Sequence, residues 1–317
     1  MTGGQASIAR VGTRGSLLAR TQTAMVVDAL GRLHPGVTFE TVLIRTSGDR
    51  NLREITGAFV VELQEALLRG DVDLAVHSMK DLPTARPPGL TIAAVPPREA
   101  REDAVVSLGA PFADLPPGSR VGAGSLRRSA QLRALRPDLV YLPLVGNVDT
   151  RLRKLVGGDY DAIVLSVAGM RRLGHDVDPS TGGSFGFEGV ALVVDVLPIS
   201  AVMPAPGQGA LAVECRAEDA RALALASALG CAETACAVAA ERALLAALGG
   251  GCRTPIGACG SLAEGRLHLA SVVAAPDGSR LVRGSDTGPA SEPEALGARL
   301  AARMMAEGAR DILAGCA

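Results

Sequence analysis

Basic side chains in this sequence gather where short apolar runs end. Arg14 and Ser16 follow Ile8–Val11, and His77, Ser78, Lys80 and Asp81 close the run Leu74–His77. Ser125, Arg127 and Arg128 come after Arg120–Gly122; Asn147, Asp149 and Arg151 after Leu139–Leu144; Arg171 and Arg172 after Ala162–Val167. Guanidinium forks pair bidentately with carboxylates and phosphates, and helix N-termini add partial positive charge. Such groups at several strand ends describe a receptor for a ligand with many acidic groups. The alternative for any single one is a solvated surface charge, the ordinary place of an Arg or Lys.

Asp81 is the one acid set tightly among these bases. A carboxylate there stays ionised, and can stabilise a developing cation or move a proton; the structural alternative is an N-cap for the short turn before Pro83. Cys252 follows Gly249-Gly250-Gly251, which predicts an exposed thiol on a mobile backbone, able to bond covalently to something in a cleft. The other five cysteines read as small buried hydrophobes. Cys252 and Cys259 are separated by six residues with no further ligands at useful spacing, and the four His are scattered, so no metal site is expected.

The elements that must position these residues are an alternation of short apolar runs and amphipathic stretches from Ser7 to about Pro204, the pattern of strands joined by crossover helices. Strands are expected at Ile8–Val11, Val37–Leu43, Leu74–His77 and Leu90–Val95, with helices over 16–33 and 59–69. A second unit of the same kind starts near Asp103. Its strands are Arg120–Gly122, Leu139–Leu144 and Ala162–Val167, and its helices span 125–136 and 149–156. Gly174–Gly209, rich in Gly and Pro, reads as loop and hinge, and Leu211–Cys215 as a strand able to return to the first lobe. Two Ala-rich helices (218–229, 233–248), strands near 256–262, 266–275 and 279–284 with Asp277-Gly278 as a hairpin turn, and a helix over 293–314 form a small α+β domain.

Composition narrows the function classes. Of 317 residues 48% are hydrophobic, and 32 Lys+Arg balance 33 Asp+Glu, which excludes a disordered chain or a polycationic nucleic-acid binder. Five Phe, two Tyr and no Trp leave no platform for stacking bases or sugars. No apolar run reaches the ~18 residues of a membrane span. The start lacks signal-peptide character, and six Cys without a CxxC pair read as reduced thiols, so a cytoplasmic protein is expected.

Six stretches occur in order: Ala9-Arg10-Val11-Gly12-Thr13-Arg14-Gly15-Ser16, His77-Ser78-Met79-Lys80-Asp81-Leu82-Pro83, Ser125-Leu126-Arg127-Arg128, Gly146-Asn147-Val148-Asp149-Thr150-Arg151-Leu152, Pro206-Gly207-Gln208-Gly209-Ala210 and Gly250-Gly251-Cys252-Arg253-Thr254-Pro255-Ile256-Gly257. With them the chain resembles the hydroxymethylbilane synthase (porphobilinogen deaminase) family over nearly its whole length. Each stretch alone is a weak signal; six in order with similar spacings are specific.

The resemblance implies an α/β fold of two periplasmic-binding-protein-like lobes with a cleft, plus a small C-terminal α+β domain. On this sequence, lobe 1 would be 1–99 with 205–225, lobe 2 would be 100–204, and 226–317 would carry the cysteine loop. It implies a cytoplasmic, monomeric transferase that condenses four porphobilinogen molecules head to tail with release of ammonia. A dipyrromethane cofactor attached through Cys252 primes the growing pyrrole chain; nucleic acid, membrane and metal are not involved. Asp81 matches the catalytic aspartate, which binds pyrrole N–H groups and stabilises the cationic azafulvene left when ammonia departs. Lys80, Ser78, Ser125, Arg127, Arg128, Arg151 and Gly146 match cofactor-binding positions, and Arg14, Ser16, Gln22 and Arg172 match substrate-binding ones.

The chain departs from the family pattern at Val145, commonly Arg; at Ala123, commonly Thr, with Gly124 beside it; and at Glu102, in place of a base. The lid between Asp49 and Phe59 is short, and the stretch around Gly182–Val196 is long. These departures keep open a second reading, a paralogue that binds a carboxylated pyrrole without elongating it. A two-lobed anion-binding module without covalent chemistry is a third.

Overall fold

The computed structural model describes residues 7–44, 58–251 and 254–316. These form two compact units, one of the described residues within 1–98 and 210–235 and the other of those within 99–209 and 236–317.

The first unit is built on β1 (Ser7–Thr13), α1 (Leu17–Leu33), β2 (Val37–Leu43), α2 (Ala58–Arg69), β3 (Leu74–Ser78) and β4 (Leu90–Ala94), completed by the later strand β11 (Leu211–Arg216) and helix α6 (Ala220–Ser227). Its sheet runs β2-β1-β3-β11-β4. β1 is parallel to β2 and β3, an arrangement that requires crossover helices, which α1 and α2 supply. β11 returns antiparallel between β3 and β4. The Ser16 hydroxyl caps α1 by accepting from Ala19 N, and Val26 and Leu30 turn into a core with Val11, Leu74, Val76 and Val213. Because helices cover it, β3 is buried along four of its five residues.

The second unit contains β5 (Asp103–Ser107), β6 (Arg120–Ala123), α3 (Leu126–Leu135), β7 (Val140–Pro143), α4 (Val148–Val156), β8 (Ala162–Ser166), α5 (Val167–Arg172), β9 (Gly183–Phe187) and β10 (Val190–Leu197). The sheet order is β7-β6-β8-β5-β10-β9, with β6 parallel to β7 and β8, and β5 antiparallel to β8 and β10. The same unit includes most of α7 (Ala232–Ala247), then β12 (Ile256–Ala263), β13 (Arg266–Ala274), β14 (Leu281–Pro289), α8 (Pro293–Met304) and α9 (Arg310–Ala314). β12-β13-β14 is an antiparallel meander whose Leu267, Leu269 and Val273 pack against Leu244 of α7 and Leu296, Leu300 and Met304 of α8.

The α/β class is as expected, and three local expectations are corrected. Gly174–Gly209 is not wholly loop and hinge: it contains the β9–β10 hairpin, turned at Glu188 (φ 48°) and Gly189 (φ 82°). Successive left-handed residues give the tight turn that suits strand twist, and alternation in β10 buries Leu192 and Val194, a signal hidden by the surrounding Gly and Pro. Asp103, expected only as a boundary, begins the fully buried strand β5. The terminal helix breaks, because Gly308 takes φ 105° between α8 and α9.

Candidate active site

In the first unit β3 runs into a single 3-10 turn, Met79–Asp81. Met79 N donates to Ala210 O at 3.0 Å and Leu82 N to Met79 O at 3.2 Å. Met79 is buried, so the turn leaves Lys80 half-buried and Asp81 exposed. Ser78 Oγ is hydrogen-bonded to both ends of the Gln22 side-chain amide, at 3.0 and 3.2 Å, which joins α1 to the root of the turn. Arg14 sits between β1 and the α1 cap, where the Ser16 oxygen accepts from Ala19 N at 3.3 Å. Gln22, Ser78, Lys80 and Asp81 are thus held as one local group.

Directly behind it lies a buried polar trio. His77 Nε2 is 3.1 Å from Glu214 Oε2, and Gln64 Nε2 donates to both Glu214 oxygens at 3.1 and 3.3 Å. Glu214 on β11 shares a sheet face with His77 on β3, because Ala212 is the register partner of His77 and alternate residues share a side. Glu214 was not foreseen: Gln64 is 150 positions away, and no local pattern joins residues that distant.

In the second unit Arg127 and Arg128 occupy the first turn of α3, after Ser125, and both are buried. They converge on one carboxylate. Arg127 Nη2 is 2.8 Å from Asp103 Oδ2, and Arg128 reaches Oδ1 through Nη2 at 2.6 Å and Nε at 3.0 Å. Arg127 Nη1 also donates to Met203 O at 2.7 Å, and Arg128 Nη1 to Val164 O at 3.3 Å. Burial pulls the Arg127 pKa below its ordinary value, Asp103 opposes that, and neighbouring Arg128 adds to it. The Nε of Arg127 is buried with no hydrogen-bond partner among the described residues. Sequence reading missed Asp103, although an acid opening an apolar strand was a usable signal.

Arg151 folds back to donate from Nε to Gly146 O at 2.7 Å, across a turn in which Gly146 has φ 123°. Its guanidinium lies where a side chain on residue 124 would project: a Cβ on Gly124 would be 3.2 Å from Arg151 Nη2 and 2.6 Å from Leu144 O. Gly124 is therefore a requirement of this packing. Val145 is exposed, and Lys154 Nζ donates to its carbonyl at 3.2 Å.

Arg172 ends α5. Its Nη2 donates to Gly209 O at 2.7 Å, and its Nε is buried without a partner among the described residues. Burial pulls its pKa down to about 10, against the opposing effect of Glu99. Arg171 instead pairs with Glu99 at 3.2 Å. Gly209 is itself constrained, with φ 85°; a Cβ there would overlap Glu99 O and lie 2.6 Å from Ala100 O. Gly209→Ala is expected to destabilise the protein by about 2 kcal/mol or more, seen as a lower chemical-denaturation midpoint. An unchanged midpoint would show that this backbone approach is not needed.

Cys252, the expected attachment point, lies outside the described residues, as does most of the 49–59 lid. Beside it, Gly251 N donates to Thr254 Oγ at 3.1 Å and Thr254 Oγ donates to Gly251 O at 2.7 Å. Among the described residues no cluster of His, Cys, Asp and Glu could hold a metal ion, and no single helix is long and apolar enough to cross a membrane.

A family model described as porphobilinogen deaminase, dipyromethane cofactor binding domain, matches residues 9–224, and one for the porphobilinogen deaminase C-terminal domain matches 235–306. The chain is 47% identical over 312 residues to the porphobilinogen deaminase of Roseiflexus sp. (strain RS-1), covering 96% of this chain and 98% of that one. It is 47% identical over 320 residues to the Mycobacterium tuberculosis (strain ATCC 25177 / H37Ra) porphobilinogen deaminase, covering 96% and 98%. Among solved structures it is similar to the Bordetella pertussis BvgS periplasmic VFT2 domain, at 16% identity and TM-score 0.42 over 69% of this chain and 85% of that one.

Proposed function

The chain belongs to the porphobilinogen deaminase family, and from that premise we propose how its own residues divide the work. The protein is a hydroxymethylbilane synthase, a transferase that joins porphobilinogen units head to tail with loss of ammonia and uses a dipyrromethane cofactor. Each pyrrole brings an acetate and a propionate, so ligand binding is mainly the holding of carboxylates by fixed cations.

The observation that carries the assignment is half-buried Arg172, whose Nε donor is itself buried and has no acceptor among the described residues, and whose pKa burial draws down to about 10. A cation partly withdrawn from water in this way is stabilised by an arriving carboxylate, so Arg172 is a substrate-holding residue with Arg14, Ser16 and Gln22. The donor chemistry also fits the cofactor, since Arg127 too has a buried Nε without a partner among the described residues. Arg127, Arg128, Arg151, Lys80, Ser78, Ser125 and the Gly146 turn would hold its carboxylates, and the Cys252 thiol would be its point of attachment. When bound, the dipyrromethane supplies the pyrrole carbon to which the first substrate is joined.

Asp81 is the catalytic residue of this scheme. Its exposed carboxylate, on a turn tied down through Ser78 and Met79, accepts from pyrrole N–H groups and keeps negative charge beside the ring as ammonia leaves. Val145 removes a family cation, but Lys154 at the same carbonyl supports retained positive charge on that loop.

The same reading takes 1–99 with 205–225 and 100–204 as two lobes and 226–317 as the cysteine-bearing domain, in a cytoplasmic monomer without nucleic-acid or membrane partners. Five described cysteines are free thiols, in keeping with a reducing compartment.

Arg172→Gln tests the assignment by steady-state kinetics. Loss of a charge-assisted contact of about 1.5–3 kcal/mol should raise KM for porphobilinogen about tenfold or more. An unchanged KM would remove Arg172 from the substrate set.

A further inference from the structure

Gln208, in the stretch Pro206-Gly207-Gln208-Gly209, has no role in the scheme above, yet it is completely buried. Its Nε2 donates to Arg101 O at 2.7 Å and to Asp103 Oδ1 at 2.9 Å, with Glu102 O at 3.4 Å. Asp103 is equally buried and is the carboxylate on which Arg127 and Arg128 converge. Gln208 thus holds, through one amide, both the backbone entering β5 and the carboxylate at its first residue.

We propose that Asp103, oriented by Gln208, is a positioning residue for the cofactor grip, fixing the planes of Arg127 and Arg128 and leaving the pair one surplus positive charge. Two guanidinium groups on adjacent residues repel, and burial raises the cost of holding both charged. A single carboxylate between them removes most of that cost and uses defined donors on each. Met203 O and Val164 O take further donors, so neither fork can swing. With the trio at one net positive charge, the pair suits one carboxyl of the bound dipyrromethane. A second would have to find its cation elsewhere.

The rest of the anchoring supports a fixed Gln208. Gly207 N donates to Glu241 Oε2 at 2.6 Å, and Gly260 N to Glu241 Oε1 at 2.7 Å. The Gln208 segment is therefore tied through Glu241 to β12, the first strand after the Cys252 loop. The grip and the domain bearing the thiol share one buried polar network within the second unit.

This inference rests on the reading of Arg127 and Arg128 as cofactor-holding residues. The test is Gln208→Leu and Asp103→Asn in the full-length enzyme. Each is read by intact mass for the fraction carrying two linked pyrrole units, by thermal unfolding, and by steady-state kinetics. Folded variants are expected to show a reduced loaded fraction and kcat down about tenfold or more, because a misaligned primer loses its near-attack geometry. KM should stay within about twofold, because the substrate-holding residues are untouched. A purely stabilising role would lower the melting temperature without this split. Normal loading and normal kcat in both folded variants would overturn the inference, as would failure of both to fold. Arg128→Gln separates the two levels: if it loads and turns over normally, the reading of the arginine pair fails as well, whereas an impaired Arg128→Gln beside normal Gln208→Leu and Asp103→Asn sinks only the positioning claim.

Discussion

Asp81→Ala should leave a folded, cofactor-loaded protein whose porphobilinogen turnover is lower by about 10²–10³-fold or more, the usual effect of deleting preorganised charge stabilisation. The fold should survive because Asp81 is exposed, while the turn that carries it is held by other groups: Met79 N on Ala210 O and the Ser78 hydroxyl on Gln22. Asp81→Asn makes the comparison sharper. It preserves shape and one acceptor but removes the charge, so a similar loss would identify electrostatic stabilisation as the main contribution. Single-turnover kinetics with intact-mass analysis check both variants, since enzyme that binds substrate without extending the pyrrole chain gains no mass. Near-normal rates in Asp81→Ala would refute the role assigned to this carboxylate.

Cys252→Ser is expected to have an all-or-none effect. Intact mass of the wild-type protein should exceed the chain mass by two linked pyrrole units, and the serine variant should lack that excess and all synthase activity. A serine hydroxyl is a far weaker nucleophile than a thiolate and cannot form the thioether. Four of the five other cysteines do not offer a substitute: burial pushes Cys215 up to about 11 and raises Cys236 and Cys316, and Cys259 is buried at the Arg101 contact. Cys231, whose pKa is lowered by hydrogen bonds from Thr234, is the one to watch. A mass excess that persists in Cys252→Ser and vanishes in Cys231→Ser would move the attachment point and dismantle the scheme for the cysteine loop.

Much of this was legible in the chain before any coordinates, because the relevant physics is local. Strand and helix periodicity placed β1, α1, β2 and β3 within a residue or two, and the acid and bases at the ends of those runs followed from chain order. Periodicity failed at β9 and β10, where flanking Gly and Pro masked a two-residue alternation, and at Gly308, whose positive φ breaks a helix that the apolar pattern alone would continue.

What the linear sequence determined was the family, the chemistry and the inventory of charged groups, since these depend on residue types and their order. What only the tertiary structure decided was the pairing of those groups. Arg127 and Arg128 looked like free cations until the fold set Asp103 between them, and Gln208 had no visible task until its amide met that carboxylate. Glu214 likewise acquired its partners only when β11 came back beside β3. The physical reason is that a buried charge must find its counterpart through space, and strand return brings together residues whose separation along the chain carries no information about contact.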